Sequence, residues 1–281
     1  MRFTDDARRA RLARRHALHP GHRLTSVVDV ARALVGLHAT EPSSVHLAVA
    51  ARMPSATVST VEDALYEQRS VVKQLAMRRT LFAFPREVLP AVWGSVSARV
   101  ADAERGKLAR DLEHHDVADE GAAWIDRGRD AVLVGLAGGY ALSAKRLREL
   151  PAIDGRSSPA VEGARSGGWA TCRSRHGCSP CWGRTRIVRG ATRALATSRP
   201  AWTLMDGLAR RGTRRPARRS GLRRVGAALA VRLRPRHRGR PGGWLGSTKA
   251  AVRAALRAVE AVPVTSTRAT GYVLPGDEAT R

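Results

Sequence analysis

The chain has 281 residues, enough to bury a sizeable core and hold two or three small domains. Its three cysteines, an odd number, argue against a disulfide framework, and no apolar run approaches the roughly 18 residues of a membrane span. The net charge of +26 is unevenly placed. Residues 1–162 carry 24 Lys/Arg against 20 Asp/Glu (net +4), residues 163–259 carry 24 against the single acid Asp206 (net +23), and residues 260–281 are net −1. The excess therefore belongs to one block and is not by itself a DNA-binding surface. The basic N-terminus contains Asp5 and Asp6 with no apolar stretch after them, so no secretory signal is expected and the cytoplasm is the expected compartment.

Residues 4–18 have helical composition with arginines all round the axis, as in a solvated helix. Thr25 or Ser26 is placed to cap a second helix over residues 27–37, whose apolar positions Val27, Val30, Leu34, Val35 and Leu37 follow the helical period. It should stop before Pro42, because the residue preceding a proline is pushed out of the α region. Ser43 or Ser44 then caps a third helix to about Arg52. Between the two lies a polar elbow: His38, Ala39, Thr40, Glu41, Pro42.

The overlapping pairs Ser59/Glu62 and Thr60/Asp63 read as capping boxes for a fourth helix. Residues 79–84 read as a strand. Pro85 opens another helix, with Glu87 at its positive end and Pro90 as a possible interruption, running to about His114. A second unit begins near Asp116. Asp119 or Glu120 starts a helix with Ile125, Val132, Leu133 and Leu136 on one face, and Gly138-Gly139 ends it. A short strand at residues 140–142 leads to Ser143, an N-cap for a helix that stops at Pro151. Helix, glycine turn, short strand and capped helix form the front of a winged helix.

Residues 156–183 lose all periodicity, and residues 208–243 are almost entirely Arg, Gly, Pro, Ala and Leu. Residues 186–190, 198–207 and 244–265 read normally. Arg/Gly/Pro-rich composition ordinarily means disorder. The same residues are also what GC-rich DNA encodes out of frame. Residues 221–243, back-translated with suitable synonymous codons and shifted by one base, can read as an amphipathic helix, a turn and a second helix. The two patches are therefore read as compensated frameshifts, whose mark would be small insertions or deletions in the gene at the patch edges.

Cys172, Cys178 and Cys181 with His176 resemble a zinc set, but the spacing is irregular and the four crowd into ten residues, so no metal is expected. The glycines at 135, 138 and 139 lack the flanking elements of a phosphate loop. Lys145, Arg146 and Arg148 fall opposite Leu147 and Leu150, on a face that is either solvated or meets phosphate. Arg78 and Arg79 have the same two readings. At the elbow, His38, Thr40 and Glu41 can bind a substrate or activate a water, but from spacing alone a histidine capping the carbonyls of the preceding helix is the better account.

The segments ALVGLHATEPSSVHLAVAARM and ALYEQRSVVKQLAMRRTLFAFPRE, the Ser143 unit, and the later WTLMD, WLGSTKAAVRAAL and GYVLPGD resemble the actinobacterial winged-helix DNA-binding proteins of the AlkZ/YcaQ-like superfamily. The resemblance covers about 1–155, 184–207 and 244–281, and its gaps coincide with the two irregular patches. It implies a mainly α fold with short β (α+β): tandem winged helices at 1–115, 116–207 and 208–281, the last a remnant, with the family's C-terminal β-rich part missing or truncated. It implies double-stranded DNA as partner; no membrane and no cofactor are expected. In the superfamily's glycosylases a Gln-x-Gln motif positions the water that releases an alkylated or crosslinked base. That motif falls on the elbow, with His38 and Thr40 at the two glutamine positions. The expected function is duplex DNA binding, with a role in repair of alkylated or crosslinked DNA. The alternatives are an N-glycosidic hydrolase, a transcription regulator and a non-functional frameshifted product.

Overall fold

The computed structural model describes residues 2–139, 141–143, 146–147, 187–189, 201–204, 249–266 and 270–276. They fall into two units, residues 1–96 with 214–281, and residues 97–213. Helices dominate, with three small three-stranded sheets among the described residues. The irregular patches at 156–183 and 208–243, and the Cys/His set within the first, lie outside the described residues.

The first unit opens with β1 (Arg2–Phe3) and α1 (Asp5–Arg15). Thr4 caps α1 by accepting the Ala7 N–H at 3.1 Å, and Asp5/Asp6 and Arg14/Arg15 complement the helix dipole at its two ends. Ser26 caps α2 (Val27–Ala33), accepting the Asp29 N–H at 3.1 Å. The helix expected to Leu37 ends at Ala33. Val35 takes a left-handed φ of 65° with its side chain buried, and the chain turns into β2 (Leu37–His38). Gly36 is required there, because a Cβ would lie 2.7 Å from two ring carbons of Phe84.

Helix α3 (Pro42–Ala50) carries its proline in the first turn, where the missing N–H costs nothing. Its cap position is Glu41 and not a serine, and Glu41 makes no side-chain cap bond. Thr57, not Ser59 or Thr60, caps α4 (Val58–Glu62) by accepting the Thr60 N–H at 3.1 Å; a π turn extends the helix over Asp63–Glu67. Then come β3 (Val71–Leu75), a tight turn at Met77–Arg79 and β4 (Leu81–Pro85). The strand expected from residue 79 thus begins two residues later, and β3 joins it. The sheet is antiparallel in the order β2-β4-β3. All five residues of β4 and four of the five in β3 are buried, as in strands covered on both faces.

Pro85 does open helical structure. A 3₁₀ turn at Arg86–Val88 leads to α5 (Leu89–Val92), which a π turn (Trp93–Ser97) joins to α6 (Ala98–His114). Pro90 is absorbed in the first turn of α5.

In the second unit α6 packs along α7 (Gly121–Gly135), with Leu108, Leu112, Val117 and Ile125 buried between them. Contact is closest at Gly121, where a Cβ would stand 2.2 Å from the Ala109 carbonyl oxygen. The Glu113 carboxylate accepts the Gly121 N–H at 2.9 Å, and Arg105 grips Asp126 through two bonds of 2.7 and 2.8 Å. Strands β5 (Leu142–Ser143), β6 (Ile187–Arg189) and β7 (Ala201–Leu204) pair antiparallel in the order β5-β7-β6. Trp202 of β7 is buried with Val132, Leu136 and Leu147.

Late in the chain, α8 (Lys249–Ala258) precedes the hairpin of β8 (Val262–Ser266) and β9 (Thr270–Val273). Strand β1 joins this hairpin in parallel with β8, Arg2 opposite Thr265 and Phe3 opposite Ser266.

Candidate active site

The elbow is an edge of the first sheet. His38 does not cap a helix, since α2 has ended five residues earlier; it stands on β2 opposite Phe82 of β4. The Ala39 N–H donates to the Leu81 carbonyl at 2.9 Å and carries the ladder one residue further, with the Ala39 side chain buried. Strand alternation then puts His38 and Thr40 on one side. Their side chains meet: Thr40 Oγ1 lies 3.4 Å from His38 Nε2. The exposed imidazole stands edge-on to the Phe82 ring, centroids 5.4 Å apart at 87°, and Phe82 packs in turn on the buried Phe84 at 5.9 Å. Glu41 follows, exposed at the start of α3.

Register also settles what is absent from this face. Cross-strand partners share a face, so His38, Phe82 and Gln74 form one row, and Leu37, Ala83 and Lys73 form the next row on the opposite face. Gln74 is a buried amide in the same row as His38, but its oxygen accepts the Trp93 Nε1–H at 3.0 Å and its nitrogen donates to the Leu75 carbonyl at 3.2 Å. Both ends of this amide are therefore engaged within the fold. His46 on α3 lies by Lys73, on the far face. Its Nδ1 is 3.2 Å from the Pro42 carbonyl, and its buried Nε2 has no hydrogen-bond partner among the described residues. Burial holds its pKa below the ordinary value, helped by the Lys73 charge and opposed by the Pro42 carbonyl and Glu62. Lys73 donates to Tyr66 Oη at 2.7 Å.

The same register brings two expected site regions together. With His38 opposite Phe82 and Ala39 bonded to Leu81, Thr40 reaches the level of Thr80, at the mouth of the β3–β4 turn that carries Arg78 and Arg79. The Thr80 N–H donates to the Met77 carbonyl at 3.1 Å, and Arg78 and Arg79 both have left-handed φ, 55° and 59°. Left-handed backbone at two successive turn positions ordinarily takes Asn or Gly. Two arginines there cost on the order of 1–2 kcal/mol each. Met77 is buried and anchors the turn, while both arginines are exposed.

In the second unit, Ser143 is a cap as expected: its Oγ accepts the Arg146 N–H at 3.3 Å, with Arg146 exposed and Leu147 buried. Lys145 and Arg148 lie outside the described residues. The part played by Phe82 was not foreseen, because it rests on a pairing across 44 positions of chain. The aromatic run at residues 82–84 was its only local signal.

Among the described residues no helix is long and apolar enough to cross a membrane. A comparison with curated proteins finds no match. The solved structure of Streptomyces sahachiroi DNA glycosylase AlkZ has the same fold, with a TM-score of 0.70 at 19% sequence identity, over 95% of this chain and 70% of that one. The family model described as "DNA glycosylase AlkZ-like" matches residues 31–281, a span that includes the elbow, the β3–β4 turn, all of the second unit and the first unit from residue 31 onward. The chain belongs to the AlkZ-like DNA glycosylase family.

Proposed function

We propose that the chain binds duplex DNA as a tandem winged-helix protein and acts in the repair of alkylated or crosslinked bases. The observation that carries this reading is the order of elements in the first unit. Helix α2, strand β2, helices α3 and α4, then β3, a turn and β4, with sheet order β2-β4-β3, is a winged-helix arrangement in which the turn is the wing. Membership of a family described by DNA glycosylases supports DNA as the partner. Arg78 and Arg79 in the first unit, and Lys145, Arg146 and Arg148 in the second, are the proposed phosphate contacts.

A second reading, hydrolysis of the N-glycosidic bond, is favoured by the His38–Thr40 pair on an exposed edge. Water adds to the sugar C1′ as the C1′–N bond breaks. An alkylated purine that carries a positive charge leaves as a neutral base, so the site must mainly hold water and stabilise a cationic sugar. The imidazole of His38 can accept a hydrogen bond from that water and take the proton it loses as the C1′–O bond forms, and the Thr40 hydroxyl can orient the ring. Threonine is shorter than glutamine and carries no second amide.

The experiment is base release from a duplex bearing an N-alkylated purine, with binding followed separately. His38→Ala should abolish release and leave binding intact. Release that survives the substitution would overturn the assignment to His38. Failure to bind any duplex would overturn the DNA reading, and a strong preference for one palindromic sequence over random DNA would favour a regulator instead.

A further inference from the structure

Winged-helix proteins ordinarily place the second helix of the helix-turn-helix in the major groove. Here that helix is α4 with its π extension, and it is acidic. Glu62, Asp63 and Glu67 lie on it, with Asp63 and Glu67 exposed, and residues 53–68 contain no lysine or arginine. Beyond it Arg69 is buried, and Lys73 donates to Tyr66. Such a surface repels the phosphates that line a groove.

The opposite character appears where β2 meets the β3–β4 turn. Arg78 and Arg79 project from a turn whose backbone is left-handed at both positions, and the register sets Thr40 beside that turn. The Glu41 carboxylate also lies exposed at this edge, one negative charge against two positive. The left-handed backbone thus holds two exposed, charged side chains at this end of the sheet.

From this we infer that the first unit meets duplex DNA edge-on, through the sheet end formed by the Arg78-Arg79 turn and the His38–Thr40 strand, and holds its acidic second helix away from the backbone. The two arginines bind the phosphates next to the nucleotide presented to His38, and so position it. The inference rests on the DNA reading above.

The test uses the full chain with a duplex of random sequence, titrated at several salt concentrations, together with thermal unfolding. The double variant Arg78→Asn/Arg79→Gly should raise the unfolding midpoint, weaken binding and reduce the slope of log K against log salt by about 2. Arg78→Lys/Arg79→Lys should keep the slope. Ser59→Glu adds a charge to the first turn of α4, where it favours the helix, and should leave binding and slope unchanged. An unchanged slope in the Asn-Gly variant, or weakened binding in Ser59→Glu, overturns the edge-on inference while the DNA reading stands. A wild-type chain that binds no duplex at low salt overturns both.

Discussion

His46 encloses a ring nitrogen that has no hydrogen-bond partner among the described residues, and burial lowers its pKa. Nδ1–H faces the Pro42 carbonyl, Nε2 is enclosed, and Lys73 stands nearby, so the folded state favours the neutral ring. Its folded pKa lies below the unfolded value of about 6.5, so the unfolded chain takes up the proton first. The contribution to stability is complete above that value and is lost as pH falls from about 6.5 towards the folded pKa, levelling below it. Asp29 and Asp126 behave differently. Ser26 and Arg32 hold the first low and Arg105 the second, so they lose their contributions only in the carboxylate range, below about pH 4. Denaturant unfolding of the wild type should therefore weaken between pH 7 and 5 by an amount missing from His46→Leu; identical pH profiles would refute this. At this scale the sequence disclosed residue types but not partners. His38, Thr40 and Glu41 stood out as a polar cluster between apolar stretches. The edge contact with Phe82 and the enclosure of His46 depend on strands and helices far apart in the chain.

Among elements, the helices were the most legible. A cap at Ser26 and the apolar spacing of Ile125, Val132 and Leu136 identify α2 and α7, because burial on one face imposes the helical period. Strand β3 was hidden for the opposite reason: with both faces covered, VVKQL shows no alternation. The end of α2 was misplaced because it is set by a glycine pressed against Phe84, a contact made across the sheet. Glycines in one helix show the same dependence on context. Gly121 and Gly128 both lie in α7, but a Cβ at 121 would collide with the Ala109 carbonyl, whereas at 128 nothing lies within 4 Å. Gly121→Ala should destabilise the α6–α7 pair by about 1–3 kcal/mol, as overpacking does. Gly128→Ala should stabilise by up to about 1 kcal/mol through helix propensity. Equilibrium unfolding of the two variants checks both, and changes of the same sign would contradict the packing described here.

For the whole molecule, charge and fold are separately distributed. The block of net +23 at residues 163–259 lies largely outside the described residues, and the proposed DNA edge of the first unit uses two arginines from the part that is nearly balanced. Differences between full-chain variants, and not absolute affinity, therefore isolate the edge. The family resemblance is most specific in the segments before residue 155, where the elbow and the β3–β4 turn stand, and fragmentary in the later segments at 184–207 and 244–281. The family match extends to residue 281 and so takes in the strands on either side of the irregular patches.

The parallel pairing of β1 with β8 has a consequence for how the protein is made. Arg2 and Phe3 leave the ribosome long before their strand partners, Thr265 and Ser266. At ordinary translation speeds the wait is roughly 10–50 s. Throughout it the first strand must remain unpaired while residues 97–213, a unit of their own, emerge and can fold. Nascent chains stalled with residue 213 just outside the tunnel should protect α6 and α7 from protease while leaving residues 1–4 open to cleavage, and protection at the N-terminus should appear only once β8 has been released.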